Sequence, residues 1–285
     1  ERSDEEYQRI AAEFNLSETA IPLPLDGASF KTAERFSLRW FTPITEVNLC
    51  GHATLATSHV IFKELGNKHE TIFFETKSGE LAVKKVSEGC YELNFPLYRL
   101  KSLKFPGKVN PLADKFDEIE APSFILEVIK KLGLESKFIG ALHSPTKKCI
   151  VVLEENTTKD ELLQVPRCPD ELMMLHPDGS FITGVVVTFK PKDPVATGFV
   201  DKNGKPYDYV SRYFAPWNGL TEDPATGSSH CVLAELWSRF FESGKELYAF
   251  QCYPKRGAQF FVNPQGDRVR ITGEAVTIVK GSADF

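Results

Sequence analysis

Residues 39–62 read RWFTPITEVNLCGHATLATSHVIF, and residues 212–236 read RYFAPWNGLTEDPATGSSHCVLAEL. Both stretches open with Arg, an aromatic, Phe, a small residue and Pro. Both then cross a short loop into small residues with Gly and Thr, and on into an apolar run. Arg39 and Arg212 are 173 positions apart; Gly79 in FETKSGELAV and Gly257 in FQCYPKRGAQFFV are 178 apart. Two landmarks at nearly one offset indicate a duplicated unit of strand, loop, buried helix and meander. Two long copies are too few for a solenoid array.

The rest of the chain fits around these copies. In SDEEYQRIAAEFNL, Ser3 caps a helix, acidic residues fill its first turn, and Tyr7, Ile10, Ala11 and Phe14 share one face. NLSETAIPLPL reads as a turn into extended chain, FSLRWF as a strand and Gly51–Leu65 as a helix. TIFFET, ELAVKKV and CYELNFP form a meander. KVNPLADKFDEIEAPS, polar and with two prolines, is the linker candidate, giving halves 1–115 and 116–285 with the last strand returning to the first half. In the second half SFILEVIKKLGL is an amphipathic helix, CIVVLEE a strand, and KDELLQV and DELMML short helices. FITGVVVTFK and YVSRYF are strands flanking a polar insertion, and Ser228–Phe241 is a second central helix. YAFQCY, AQFFVN, RVRITG and AVTIVKG close the chain as strands, with NPQGD as a turn. The two central helices have little polar surface at their starts. A helix apolar on most sides is surrounded, so each is expected inside a strongly bent sheet, with the two N-termini facing one cleft. The fold class is α+β, in two pseudo-symmetric halves.

Composition excludes several functions. The 285 residues are 42% hydrophobic, with 22 Phe against 2 Met, enough for a sizeable aromatic core. A net charge of −5 argues against nucleic acid, which calls for a basic stripe. The six cysteines are scattered without CxxC spacing, as free thiols in a reducing compartment. The N-terminus ERSDEEYQ has no apolar signal region, and no run is long enough to span a membrane. The expectation is a soluble, cytoplasmic protein that binds neither nucleic acid nor membrane.

Helix N-termini present unpaired N–H groups and partial positive charge, a natural anion site when the preceding loop is small. Gly51, Ala53, Ala225, Thr226, Gly227 and Ser228 meet that requirement. Preorganised donors of this kind are worth on the order of 3–4 kcal/mol each to developing negative charge in a closed site, as proton abstraction beside a carboxyl group requires. Tight helix packing alone also uses such residues. A P-loop is excluded because no Gly-Lys-Ser/Thr follows, and TGSSH lacks the last glycine of a nucleophile elbow. His52 and His59 lack a third ligand at a matching position, so no metal is expected. Acid–base candidates are Glu18, Glu46, Cys50, His52, Glu222 and Asp223. Read from the residues alone, Glu18 is a surface carboxylate at a helix exit, and Glu222 and Asp223 are N-terminal helix charges.

NLSET, RWFTP with LCGHATLA, and RYFAPW with EDPATGSSH together resemble the phenazine-biosynthesis PhzF-like family, and within it the animal phenazine biosynthesis-like domain-containing proteins. The resemblance runs in order over most of the chain. It implies the diaminopimelate epimerase-like fold, each half a barrel-like sheet around a central helix, and a cofactor-independent isomerase acting on a small anionic substrate. It also implies that Glu18 is the catalytic acid/base, tuned toward the working pH by partial burial. His52, Asp223 and Ser228, with Gly51, Ala225, Thr226 and Gly227, then bind substrate. Two-base epimerases of similar fold carry a cysteine at each helix start. Here the first loop keeps Cys50 while the second has Pro224 and Ala225, so one carboxylate must carry the proton both ways. A homodimer is also implied. The alternative is a non-catalytic member that binds a WD-repeat protein partner. The family places a strand and a GNP segment ahead of the first helix, so the first half is expected to lack its first strand. The Lys190–Tyr207 insertion is longer than the family pattern.

Overall fold

The computed structural model describes residues 2–282. The described chain divides after Pro96 and again after Asp267. The first unit holds α1 (Asp4–Phe14), β1 (Thr19–Pro24), β2 (Arg35–Phe41), β3 (Glu46–Val47), α2 (Gly51–His59), β4 (Thr71–Thr76), β5 (Gly79–Ser87) and β6 (Cys90–Pro96). The second holds β7 (Lys101–Lys104), β8 (Glu118–Glu120), α3 (Phe124–Lys131), β9 (Phe138–His143), β10 (Lys148–Leu153), α4 (Lys159–Gln164), α5 (Pro169–Leu175) and β11 (Gly184–Phe189). It continues with β12 (Tyr209–Ala215), β13 (Leu220–Asp223), α6 (Gly227–Trp237), β14 (Leu247–Gln251) and β15 (Ala258–Gln265). The chain then returns to the first unit as β16 (Arg268–Glu274), antiparallel to β6.

In the first unit the strand order is β1-β2-β4-β5-β6-β16, with β3 beside β2. Alternate residues Phe36, Leu38 and Trp40 of β2, Phe74 of β4, Leu81 and Val83 of β5, and Tyr91, Leu93 and Phe95 of β6 are buried, the period of two that marks a sheet with one inward face. Helix α2 touches β1 at one end of this order and β6 toward the other, and Leu55 lies against Gly273 of β16. One helix reaches both ends only because the sheet bends around it. Two of its buried hydroxyls bond back to the helix backbone: Thr54 donates to the Cys50 carbonyl at 2.5 Å and Ser58 to the Thr54 carbonyl at 2.8 Å. After His59 the helix widens into a π-turn over Val60–Glu64. Helix α1 carries a reciprocal cap, Glu6 N–H donating to Ser3 Oγ and Ser3 N–H to Glu6 Oε2.

The second unit repeats the plan and adds a layer. Its strand order is β15-β14-β12-β11-β10-β9-β7-β8, with β13 beside β12. As in the first copy, the motif strand pairs antiparallel with a short return strand (β2 with β3, β12 with β13), then parallel with the strand after the central helix (β2 with β4, β12 with β14). Every residue of β10, β11 and β12 is buried, because both faces are covered. One face carries α6, where Trp237 donates to Thr188 of β11, Tyr209 of β12 meets His230, and His230 packs on Phe260 of β15. The other face packs α3, α4 and α5 through Ile125, Val128, Leu162 and Leu172.

Several expectations change. The halves divide at 96/97 rather than at 115/116, because β7 pairs with β9 and β8. The linker candidate is likewise part of the second unit, with Leu112 and Phe116 buried and β8 within it. Residue 1 of the expected first half and residues 283–285 of the second lie outside the described residues. AVTIVKG forms no strand: Val276, Ile278 and Val279 are exposed, while Thr277 bonds His59 and Glu64. The second central helix ends at Trp237 rather than Phe241.

Candidate active site

Glu18 sits at the exit of α1, where Asn15 takes a left-handed backbone (φ 49°) and turns the chain into β1. Cys50 caps the start of α2 with extended backbone, and His52 follows in the first helical turn. These two turns bring together side chains 34 residues apart. His52 Nε2 lies 3.0 Å from Glu18 Oε2 and 3.1 Å from Ser17 Oγ. Cys50 Sγ lies 3.7 Å from His52 Nδ1. Among the described residues, Glu18, Cys50 and His52 are a trio whose ligand-type atoms all fall within 4.8 Å of one another. The Glu18 side chain is only 7% exposed, so its reading as a surface carboxylate is wrong. Its Oε2 oxygen is buried and receives no aligned hydrogen bond.

Two opposing effects set the protonation of Glu18. Burial pushes its carboxyl up; His52, as hydrogen-bonding partner and as charge, pulls it down with help from Ser17 and Cys50, and the net shift is downward. The group therefore stands as a carboxylate at neutral pH, ready to accept a proton, rather than being raised toward the working pH. Burial pushes the Cys50 thiol up to about 11, which keeps it protonated and a poor base. His59 takes no part: its ring bonds the Tyr91 hydroxyl and Thr277.

In the second unit, Asp223 closes its own loop. Its Oδ1 accepts from the Ala225 N–H at 3.2 Å and its Oδ2 from the Thr226 hydroxyl at 2.6 Å. Gln251, fully buried in β14, holds this loop from below. Its Nε2 donates to the Asp223 carbonyl at 2.5 Å, and its Oε1 accepts from the Thr226 N–H at 2.7 Å. The Ala225 and Thr226 N–H groups expected to hold a ligand anion are thus used within the loop. Gly227 and Ser228, which open α6, supply the N–H groups at the helix mouth.

Glu46 and Glu222 leave the list of acid–base candidates. Arg39 grips Glu46 through two bonds of 2.9 and 3.0 Å. Arg212, 1% exposed, grips Glu222 at 2.6 and 2.9 Å and also donates to the carbonyls of Leu162 and Val165. Arg167 adds a further bond to Glu222. The repeated Arg of the two motif strands is therefore structural, tying each strand to its return strand. An Arg followed by a Glu across the loop in both copies is a signal present in the sequence. Ser17 and Gln251 carry no comparable signal.

A bent sheet around a buried helix, built twice, with a carboxylate and an imidazole at the mouth of the first helix, defines an α+β, epimerase-like fold. The chain matches the phenazine biosynthesis-like protein family over residues 1–281. It is 36% identical to the phenazine biosynthesis-like domain-containing protein 1 of Mus musculus, over 99% of this chain and 90% of the mouse protein. It is 33% identical to an uncharacterized isomerase of Halalkalibacterium halodurans, over 98% of this chain and 87% of the relative. The crystal structure of a PhzF-family protein from Enterococcus faecalis superposes with TM-score 0.73 at 29% identity, covering 100% of this chain and 89% of that one. A predicted epimerase from Pseudomonas aeruginosa shares the fold at TM-score 0.62 and 17% identity, covering 95% of this chain and 86% of that one. The chain belongs to the PhzF-type phenazine biosynthesis-like family.

Proposed function

We propose that this protein is an isomerase of the racemase/epimerase type that moves a proton on a small carboxylate-bearing metabolite, with Glu18 as the single acid/base. The observation that carries this reading is the Glu18 carboxylate, almost wholly buried, with its Oε2 3.0 Å from His52 Nε2. In this reading the Glu18 carboxylate takes a proton from a carbon next to the substrate carboxyl group and returns it to another carbon. His52 and Ser17 hold the carboxylate and a polar substituent in place. The Gly51 N–H receives an anionic oxygen; within the second unit, Asp223 and the N–H groups of Gly227 and Ser228 are the candidates for holding polar and anionic groups. The Pro224–Ala225 pair, where a second cysteine would stand, removes the thiol-to-thiol route, and the high-pKa Cys50 thiol is a poor substitute. The names of the bacterial relatives and the epimerase-like fold support the same class.

The reading is tested by incubating the protein in D2O with a panel of small unsaturated and amino carboxylates and following deuterium uptake by NMR. Uptake at a carbon beside the carboxyl group of at least one compound is expected. Uptake that persists undiminished in Glu18→Gln overturns the assignment.

A further inference from the structure

We propose that Glu18, Cys50 and His52 also form a binding site for a thiophilic divalent cation of the zinc type, and that a bound cation shuts off proton transfer by Glu18. Zinc takes thiolate sulfur at about 2.3 Å and imidazole nitrogen and carboxylate oxygen at about 2.0–2.2 Å; in a tetrahedron this spaces the ligand atoms roughly 3.3–3.8 Å apart. Here His52 Nε2 lies 3.0 Å from Glu18 Oε2 and 3.9 Å from Cys50 Sγ. Small side-chain adjustments bring all three onto one ion. Glu18 Oε2 is buried, on a side chain 7% exposed, and its 3.0 Å contact with His52 Nε2 lacks hydrogen-bond alignment. A cation placed among the three atoms would satisfy it.

The donor set selects the cation. One sulfur, one nitrogen and one oxygen suit zinc or cobalt, whereas calcium and magnesium want six or more oxygens. Three protein ligands leave a fourth position for water or a ligand oxygen, with the Ser17 hydroxyl alongside, 3.1 Å from His52 Nε2. Coordination is a ligand exchange without redox change: the sulfur–metal bond replaces the S–H bond of Cys50, whose proton leaves to solvent. The carboxylate donates a lone pair as it stands, and His52 ligates through Nε2 once any proton on that nitrogen has moved to Nδ1 or left to solvent. A metal on Glu18 occupies the lone pair that would accept the substrate proton, so the inhibition rests on the acid/base reading, whereas the binding does not.

The test uses Co2+ as a spectroscopic probe on the whole chain without substrate. One Co2+ is expected to bind with a sulfur-to-cobalt charge-transfer band in the near ultraviolet and the visible bands of a tetrahedral site, and Zn2+ is expected to displace it. Cys50→Ser removes the charge-transfer band, and Glu18→Gln and His52→Ala each weaken binding by at least about tenfold. Cys90→Ser and Cys168→Ser, at the partly exposed cysteines, leave the spectrum unchanged. A charge-transfer band that survives Cys50→Ser, affinity unchanged in Glu18→Gln and His52→Ala, or no binding at all overturns the site. Because the spectrum is read without turnover, loss of the metal site leaves the deuterium-exchange test of Glu18 standing. Zn2+ that binds but leaves deuterium uptake unchanged overturns the inhibition alone.

Discussion

Glu18 and Glu222 are both buried carboxylates beside basic side chains, yet their surroundings give them opposite uses. Glu222 accepts a bidentate bond from Arg212 and a further bond from Arg167, so its lone pairs are filled. Glu18 faces one imidazole at 3.0 Å, with Ser17 and Cys50 beside it and no guanidinium fork. The first arrangement locks; the second leaves a base. Breaking the lock exposes the difference. Arg212→Met strands Glu222 as a buried, less compensated charge and is expected to cost about 3–5 kcal/mol, while the double change Arg212→Met/Glu222→Leu recovers much of it. Urea unfolding of the single and double variants checks this. The roles of these residues are only partly legible in the sequence. Glu18 in NLSET looks like a helix-exit surface charge, and only its likeness to family members marks it. Its burial depends on a contact with His52 made across 34 residues, which no local pattern encodes.

At the scale of elements, what local pattern encodes is recovered and what pairing encodes is not. Strand β2 is readable because its apolar residues alternate, and helices α2 and α6 because they open on small residues and are apolar on most sides. Strands β7, β8, β9 and β13 are short or lack a distinct pattern of their own, and exist because neighbours pair with them. AVTIVKG errs in the opposite direction: its residues suit a strand, but in the described chain no strand pairs with its backbone beyond the bond from the Ala275 N–H to the Gly89 carbonyl. The two landmark glycines of the repeat are glycine for different reasons. Gly79 has φ +88°, a left-handed backbone that costs another residue about 1–2 kcal/mol. Gly257 has no such backbone, but a Cβ there would lie 2.1 Å from the Gln251 carbonyl oxygen, and the β14–β15 turn would have to open. Gly257→Ala is therefore expected to destabilise by about 3 kcal/mol. It should also disturb Gln251 and the Asp223 loop that Gln251 holds, whereas Gly79→Ala should leave that loop intact. Thermal melts give the ranking, and amide exchange at Ala225 and Thr226 separates local from global effects.

For the whole molecule, acid sensitivity follows from histidines kept neutral inside. His230, fully buried in α6, receives a 2.7 Å contact from the Tyr209 hydroxyl, and burial pushes its pKa down to about 3. Burial also lowers the pKa of His143 and His59. An unfolded chain protonates these rings below about pH 6.5 while the folded chain does not, so stability falls as pH drops through that value and keeps falling toward pH 3. For His230 alone the loss between pH 6.5 and 5 is about 2 kcal/mol. His230→Gln is expected to flatten that slope, measured as the difference in urea unfolding free energy at the two pH values. The duplication itself is legible from two landmark spacings. The division at 96/97 is not, because it is set by pairing of β7 and by the return of β16 to β6.

The decisive measurement is the rate of deuterium uptake from D2O into a carboxylate substrate, compared between the wild-type protein and Glu18→Gln at matched far-ultraviolet circular dichroism. A loss of about 10²–10⁴-fold is predicted, the usual worth of one positioned acid/base. Equal rates in the two proteins would contradict it and leave the buried carboxylate at position 18 without a chemical role.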